Sequence, residues 1–173
     1  MKKFKIAIIS LGLISTMFLS CTNTDTEDWR DKNLAFYDGL KNKPGVLEIG
    51  DSINGYPKLY YTVYENGTAG TKPVYGNKVK VTYAGWLWND TTKYNSPLNL
   101  KNAFDYSTTG TTFKIGNALI EGFNIALTHM NYGARWRIYV PYYLAYGRTG
   151  SNSIKAYSTL IYDVRLVSLE SEN

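Results

Sequence analysis

One short segment of helical periodicity, set among several strand-like segments, limits the folds that this chain can adopt. Between Ile120 and Met130 the apolar residues Phe123, Ala126, Leu127 and Met130 recur at positions i, i+3, i+4 and i+7, which form one face of an α-helix. A helix with a single apolar face must bury that face against another element. We therefore expect this helix to cover a sheet.

The strand-like segments have the two-residue alternation, or the aromatic and β-branched content, of half-buried strands. In the clearest one, Val79 and Val81 alternate with Lys78, Lys80 and Thr82. The predicted strands cover residues 59–64, 79–88, 112–115, 134–140 and 159–169. Because these strands surround one convincing helix and no repeat is present, the pattern predicts an α+β domain with an antiparallel sheet.

The N-terminus has the charge and hydropathy profile of a signal peptide. Lys2, Lys3 and Lys5 precede an apolar or small stretch that runs without interruption from residue 6 to residue 19. As a helix this stretch would rise only about 21 Å, whereas a membrane span needs about 20 residues. A transmembrane anchor is therefore the weaker alternative, and we expect export.

The cleavage site is predicted from Phe-Leu-Ser-Cys at residues 18–21. An ordinary secretory site has small residues at the last and third-last positions, and Ser20 fits but Phe18 does not. The segment resembles the lipobox of bacterial lipoproteins, in which Leu is usual at the place of Phe18. We expect residues 1–20 to be removed and Cys21 to carry a lipid that attaches the protein to a membrane. Thr22 favours the outer membrane, on its periplasmic or surface face, by analogy with other lipoproteins.

Cysteine, histidine and charge content exclude several classes of protein. Cys21 is the only cysteine and His129 the only histidine, which excludes disulfides and argues against a metal site. We expect His129 to be exposed at a helix end. Removal of three lysines with the signal peptide lowers the formal charge from +5 to +2. Arg135 and Arg137 should face solvent on a strand, so nucleic-acid binding is not predicted.

An N-terminal extension over residues 21–57 precedes a domain over residues 58–170. The extension contains a candidate helix at 27–40, whose apolar positions are Trp29, Phe36, Tyr37 and Leu40. Because this apolar stripe is imperfect, a helix docked on the domain and a loose tether of roughly 30 residues remain alternatives. Within the domain, the polar segment 89–102 predicts a long loop.

Four segments, in this order and nearly at this spacing, resemble the FKBP family of peptidyl-prolyl isomerases. They are Val-Lys-Val-Thr-Tyr-Ala-Gly at 79–85, Phe-Asp at 104–105, Leu-Ile-Glu-Gly-Phe at 119–123, and the stretch 140–164 with Val-Pro, Leu-Ala-Tyr-Gly and Thr-Leu-Ile-Tyr-Asp-Val in turn. The run Arg-Ile-Tyr-Val-Pro at 137–141 is similar to the cell-surface and periplasmic bacterial branch of that family. The resemblance covers about residues 59–169, with 89–102 as an insertion near the pocket.

The resemblance implies a curved antiparallel β-sheet, a half-barrel, wrapped on one short α-helix, with an aromatic pocket that receives a proline side chain. It implies an isomerase that acts on Xaa-Pro segments of exported proteins and needs no cofactor. It also implies that macrolide inhibitors can bind in the pocket. The catalytic residues it implies are Tyr146, Asp105 and Tyr83. In this role the Tyr146 hydroxyl would donate a hydrogen bond to the substrate carbonyl, and Asp105 with Tyr83 would orient the imide. The substrate-binding positions are Phe104, Leu119, Ile120, Phe123, Ile154 and Tyr162.

Several positions depart from the family pattern. Phe123 stands where Trp is usual and Tyr162 where Phe is usual, so both keep an aromatic ring. Thr111 replaces an aromatic residue, and Ile-Lys-Ala at 154–156 replaces Ile-Pro-Pro. Many members have an Arg shortly after the Phe-Asp pair that holds the carboxylate, whereas Asp105 is followed by no base up to Thr111.

Three functions stay open. The first is an isomerase that assists the folding of exported proteins. The second, favoured by Thr111 and the lost Pro-Pro, is a chaperone-like module that grips prolyl segments with little turnover. The third is a surface lipoprotein that binds a glycan or a partner, because 16 Tyr and 4 Trp supply stacking faces. Each pocket residue could also be a simple core residue.

Overall fold

The computed structural model describes residues 24–50, 57–90, 100, 102–116 and 119–170. In these ranges the strands form one sheet of order β1-β2-β5-β6-β3-β4, in which all neighbours are antiparallel. The elements are α1 (Thr24–Gly39), β1 (Leu47–Ile49), β2 (Leu59–Glu65), β3 (Lys78–Leu87), β4 (Asp105–Lys114), α2 (Glu121–His129), β5 (Arg135–Val140) and β6 (Leu160–Glu170). The predicted α+β class is confirmed. The predicted signal peptide, Cys21 and most of the predicted loop 89–102 lie outside the described residues.

Helix α2 packs against one face of the sheet, which we call the inner face. Phe123, Ala126 and Leu127 are buried there, as the helical spacing predicts. Gly122 allows the helix to approach β5, because a Cβ at this position would overlap Val140 Cγ1. His129 ends the helix and is exposed, as expected.

Strand β3 follows the predicted alternation only over its first half. Val79 and Val81 face inward and are fully buried. Beyond Tyr83 the opposite face is covered as well, since Ala84 and Trp86 are buried in a small cluster with the partly buried Leu100. The half-buried pattern therefore ends where the strand reaches the wall of the functional cavity described below.

The N-terminal helix is docked on the opposite, outer face of the sheet. Helix α1 begins three residues before the predicted start and continues, after Gly39, into one 3-10 turn. Tyr37 of α1 and Leu40 of that turn are buried against outer-face residues of three strands, which are Tyr60, Tyr139 and Ile161. The docked alternative is thus the one observed. Neither α1 nor α2 has the length and apolar content that would let it cross a bilayer.

One short strand lies outside the prediction. Strand β1 pairs with β2, with Leu47 opposite Tyr61 and Ile49 opposite Leu59. It has only three residues, too few for a period of two to be recognised in the sequence. Strand β1 is therefore one edge of the sheet, and β4 is the other.

The expectation that Arg137 faces solvent is wrong. Arg137 and Asp163 lie directly opposite each other on β5 and β6. The guanidinium Nε and Nη2 donate to the two carboxylate oxygens at 2.7 and 2.9 Å, and the two side chains are only 14% and 5% exposed. Arg135 is likewise paired, with Nε 3.4 Å from Glu65 Oε1. Both arginines of β5 therefore have an acidic partner on a neighbouring strand, which the alternation within one strand cannot show.

Breaking the buried ion pair should destabilise the protein. We expect Asp163→Ala to lower the free energy of unfolding by about 3 kcal/mol, because the largely buried Arg137 charge loses its bidentate carboxylate partner. The control is Lys32→Ala, which breaks the exposed pair with Asp28 and should cost less than about 0.5 kcal/mol. Urea unfolding measures both. Equal losses for the two variants would contradict a stabilising role specific to burial.

Candidate functional site

A cavity of about 530 Å³ opens between the inner face of the sheet, the start of α2 and the segment after β5. Its wall combines aromatic rings, aliphatic side chains, two carboxylates and exposed backbone. The lining residues are Tyr83, Asp105, Phe113, Gly116, Leu119, Ile120, Glu121, Phe123, Asn124, Ala145, Tyr146 and Tyr162. Long-range strand pairing brings together four of them, Tyr83, Asp105, Phe113 and Tyr162.

The cavity collects most of the predicted pocket residues. Seven of the nine line it, namely Tyr83, Asp105, Leu119, Ile120, Phe123, Tyr146 and Tyr162. Phe104 lies behind the wall, with its ring edge-on to Tyr162 at a centroid distance of 5.6 Å. Ile154 does not line the cavity. It is 8% exposed, packs in the main hydrophobic core and pairs with Ser151 in a tight turn.

Five lining residues lie outside the prediction, which are Phe113, Gly116, Glu121, Asn124 and Ala145. Phe113 was within reach of sequence reasoning, because it follows Thr111 by two residues and so shares its strand face. Its ring lies 5.9 Å from that of Tyr83. Thr111 itself does not line the cavity, and its hydroxyl donates to Ser107 Oγ at 2.9 Å. Gly116, Glu121 and Ala145 lie at the ends of elements, where periodicity gives no signal, and Asn124 is a polar residue within α2.

Three rings pack at steep angles in the depth of the cavity. Phe123 stands edge-on to Tyr162, with centroids 5.2 Å apart and planes at 90°, and edge-on to Tyr83 at 5.8 Å and 82°. Such pairs contribute about 0.5–1.5 kcal/mol beyond their buried area. The three rings thus form one packed aromatic cluster in the cavity wall.

Tyr162 depends on the glycine opposite it. In the pairing of β3 with β6, Gly85 is the partner of Tyr162. A Cβ at position 85 would overlap the Tyr162 ring and lie 2.9 Å from Phe104 Cζ, so only glycine leaves room for both rings. The Tyr162 side chain is almost fully buried, and burial, followed by the nearby Tyr146 and Asp105, raises the pKa of Tyr162 well above its usual value. Its hydroxyl therefore stays protonated.

Asp105 has a neutral partner at the edge of the cavity. The Tyr83 hydroxyl donates to Asp105 Oδ2 at 3.0 Å across the β3–β4 pair. Burial and this hydrogen bond raise the pKa of Tyr83 to about 12. No ion pair between described residues includes Asp105, which agrees with the lack of a base in the segment after it. The carboxylate is exposed and can accept further hydrogen bonds.

A second hydrogen-bonded group fixes the rim at the start of α2. Glu121 accepts from the Tyr75 hydroxyl at 2.7 Å and from Asn124 Nδ2 at 3.2 Å. Asn124 Oδ1 in turn accepts from the Gly116 backbone N–H at 3.0 Å. The hydrogen bond to Glu121, with burial, raises the pKa of Tyr75 to about 12. These contacts attach the segment after β4 to the helix.

Tyr146 is presented by a tight turn after β5. The chain forms a 3-10 turn at Tyr142–Leu144, and Gly147 then takes a left-handed φ of +66°. The Gly147 N–H donates to Tyr142 O at 2.8 Å, and the Gly150 N–H donates to Tyr146 O at 3.1 Å. Tyr146 is half-buried and lines the cavity, and its hydroxyl lies close to that of Tyr162.

The arrangement suits a compact apolar ligand that carries a carbonyl. The rings of Phe123, Tyr162 and Phe113 supply apolar surface, while Tyr146 and Asp105 supply polar groups on the same cavity wall. No group of three His, Cys, Asp or Glu in the described ranges is placed to bind a metal ion.

Comparison with known proteins identifies relatives of this site and fold. The family model described as FKBP-type peptidyl-prolyl cis-trans isomerase matches residues 69–167, more than half of the chain. Peptidyl-prolyl cis-trans isomerase Mip of Coxiella burnetii is 36% identical over 143 residues, which are 82% of this chain and 55% of that protein. Outer membrane protein MIP of Legionella longbeachae is 31% identical over 149 residues, 86% of this chain and 57% of that protein.

Structural comparison agrees. The crystal structure of a peptidyl-prolyl cis-trans isomerase from Pseudomonas syringae superposes with a TM-score of 0.68 at 29% identity, covering 87% of this chain and 99% of that one. The present chain spans little more than half the length of the two Mip relatives. The family match at 69–167 includes β3, β4, α2, β5 and most of β6.

Substitution of Gly85 tests how the cavity is built. We expect Gly85→Ala to lower the free energy of unfolding by about 1–3 kcal/mol, because the added methyl group must displace the Tyr162 ring. Gly39→Ala is the matched control, since a Cβ there meets no atom within 4 Å and the backbone is already helical. Chemical unfolding and near-ultraviolet circular dichroism measure the two effects. A Gly85→Ala protein with parental stability and an unchanged aromatic spectrum would contradict the close approach.

Proposed function

Because the chain belongs to the family of FKBP-type peptidyl-prolyl cis-trans isomerases, we propose that its cavity accelerates the isomerisation of Xaa-Pro bonds in exported proteins. The observation that carries the proposal is the ring-lined cavity itself, which lies within the family match and has Tyr146, and the Tyr83–Asp105 pair, on its border. The substrate class is an unfolded or extended segment that contains proline.

The reaction needs no bond to break and no proton to move. An Xaa-Pro bond rotates over a barrier of about 20 kcal/mol, which corresponds to roughly 0.01 events per second without a catalyst. The twisted amide has lost its resonance and is less charge-separated than the planar form, so a dry apolar cavity favours it over the ground state. A stabilisation of about 5.5 kcal/mol would accelerate rotation about 10⁴-fold.

The roles of the side chains follow from where they lie. The pyrrolidine ring would rest on Phe123 and against Tyr162 in the deepest part of the cavity. The Tyr146 hydroxyl would donate to the carbonyl of a substrate residue, and the Tyr83–Asp105 pair would orient the imide from the other wall. Leu119 and Ile120 complete the apolar surface. Macrolide inhibitors that fill such pockets should compete for the same space.

Attachment to a membrane through Cys21 completes the proposal. Its support is the signal-peptide profile of residues 1–20 and the lipobox-like residues 18–21, and one Mip relative is named an outer membrane protein. Helix α1 starts at Thr24, only three residues after Cys21. Three residues reach at most about 10 Å. The docked helix thus replaces the long tether, and the lipid would lie close to the folded domain, on the outer membrane's periplasmic or surface face.

Isomerase activity should depend on the cavity side chains. In a protease-coupled assay with a short Xaa-Pro peptide, Tyr146→Phe should lower kcat/KM about five- to tenfold, the loss of one hydrogen bond. Phe123→Ala should lower it by more than about 100-fold, because the ring on which proline rests is removed. Tyr106→Phe, an exposed tyrosine outside the cavity, is the control and should match the parent.

The same assay separates the functional alternatives. If the parent protein neither catalysed isomerisation nor bound a macrolide, the isomerase proposal would be wrong. Macrolide binding without catalysis would favour the prolyl-segment module with little turnover. If Tyr146→Phe and Phe123→Ala both kept the parental rate, catalysis would lie elsewhere.

Lipidation can be tested directly in the exporting cell. We expect the parent chain to incorporate radiolabelled palmitate and to fractionate with membranes, whereas Cys21→Ser should do neither, because the thiol is the only attachment point for a thioether lipid. Ser15→Ala within the apolar stretch is the control and should remain labelled. Label in the Cys21→Ser protein would contradict the proposed anchor.

A further inference from the structure

Helix α1 contacts more than the sheet that it covers. Its C-terminal half buries Tyr37 against the outer face. Its N-terminal half contacts the segment between β5 and β6, at alternate residues of that segment. The contacts are Trp29 with Lys155, Arg30 with Tyr157, and Asn33 with Thr159. This segment is the one that carries Tyr146.

The contact at Asn33 is buried and fully satisfied. Asn33 is 1% exposed, and its Oδ1 accepts from the Thr159 N–H at 2.6 Å. Its Nδ2 donates to Trp29 O at 2.8 Å, and the Thr159 hydroxyl donates to Asn33 O at 3.4 Å. A buried amide requires such partners, so these bonds form only when α1 and the segment are in register. The two bonds between Asn33 and Thr159 join residues 126 positions apart in the chain.

The contact at Tyr157 involves a strained residue. Tyr157 has φ of +62°, a left-handed conformation that costs free energy in a residue with a side chain and persists only when its surroundings impose it. Its ring lies 5.2 Å from that of Tyr142 and has the Arg30 guanidinium 5.9 Å above it. In this conformation the Tyr157 N–H donates to Gly147 O at 3.0 Å. Gly147 directly follows Tyr146.

We propose that α1 is a positioning element of the active site, in which Asn33 and Arg30 act through Thr159 and Tyr157 to place the Tyr146 hydroxyl over the cavity. The proposal rests on the proposed isomerase function. A helix that only covered apolar surface would have no need of a buried asparagine aimed at a loop. The contacts at 155, 157 and 159 restrain the second half of the segment, and the Tyr157–Gly147 bond carries that restraint to its first half.

A double-mutant cycle tests the proposal with the full folded domain. Asn33→Ala should lower kcat/KM about fivefold, because the Tyr146 donor loses its fixed position. In a Tyr146→Phe background, where no hydroxyl remains to be placed, Asn33→Ala should cause no further loss. The milder Arg30→Gln should show the same non-additivity with a decrease of about twofold, and it keeps the test open if Asn33→Ala folds poorly.

The matched control is Leu40→Ala, which weakens the docking of the same chain end at a buried residue without touching the segment. At a temperature where all variants are folded, it should lower thermal stability but leave kcat/KM at the parental value. Amide hydrogen exchange localises the effect: relative to the core amides of the same variant, the Tyr157 N–H should exchange faster in Asn33→Ala and not in Leu40→Ala.

The outcomes are distinct. Equal loss from Asn33→Ala with and without Tyr146, or equal loss of activity in Leu40→Ala, overturns the positioning role while leaving the isomerase intact. A parent chain without isomerase activity overturns the proposed function, and the positioning role with it. Non-additive loss together with faster Tyr157 exchange supports the proposal.

Discussion

The register between β3 and β6 places Gly85 opposite Tyr162, and the cavity depends on this pairing. Because position 85 has no side chain, the Tyr162 ring can lie across β3, meet Phe123 at 90° and receive the edge of Phe104. A shift of β6 by one residue would turn Tyr162 to the other face of the sheet. The aromatic part of the cavity wall depends on that fit, and so does the burial that raises the pKa of Tyr162.

The two faces of the sheet are covered by different elements. The inner face joins α2 to form the core and the cavity, whereas the outer face is covered by α1 and by the Arg137–Asp163 pair. Since α1 reaches past the sheet to residues 155–159, the covering helix and the cavity wall meet in one segment of chain. A protein attached at Cys21 would therefore have its attachment point, its positioning helix and its site in direct succession.

Local periodicity was sufficient for the helix at 120–130, for the alternation of Val79 and Val81, and, with the family resemblance, for seven cavity residues. It could not show what depends on contacts between distant segments. Arg137 was expected in solvent because its partner, Asp163, lies on another strand; Ile154 was expected in the pocket, but the turn with Ser151 directs it into the core. The stacking faces that suggested glycan binding are in part committed elsewhere, since Trp86 and Trp136 are buried.

Exchange NMR on a short Xaa-Pro peptide tests the central claim, that this cavity catalyses rotation about the prolyl bond. With a catalytic amount of the protein, we predict cis–trans exchange cross-peaks that are absent from the free peptide, and peptide-induced shifts confined to the residues around Phe123, Tyr146 and Tyr162. Exchange at the uncatalysed rate, or shifts that map to the outer face, would contradict the account.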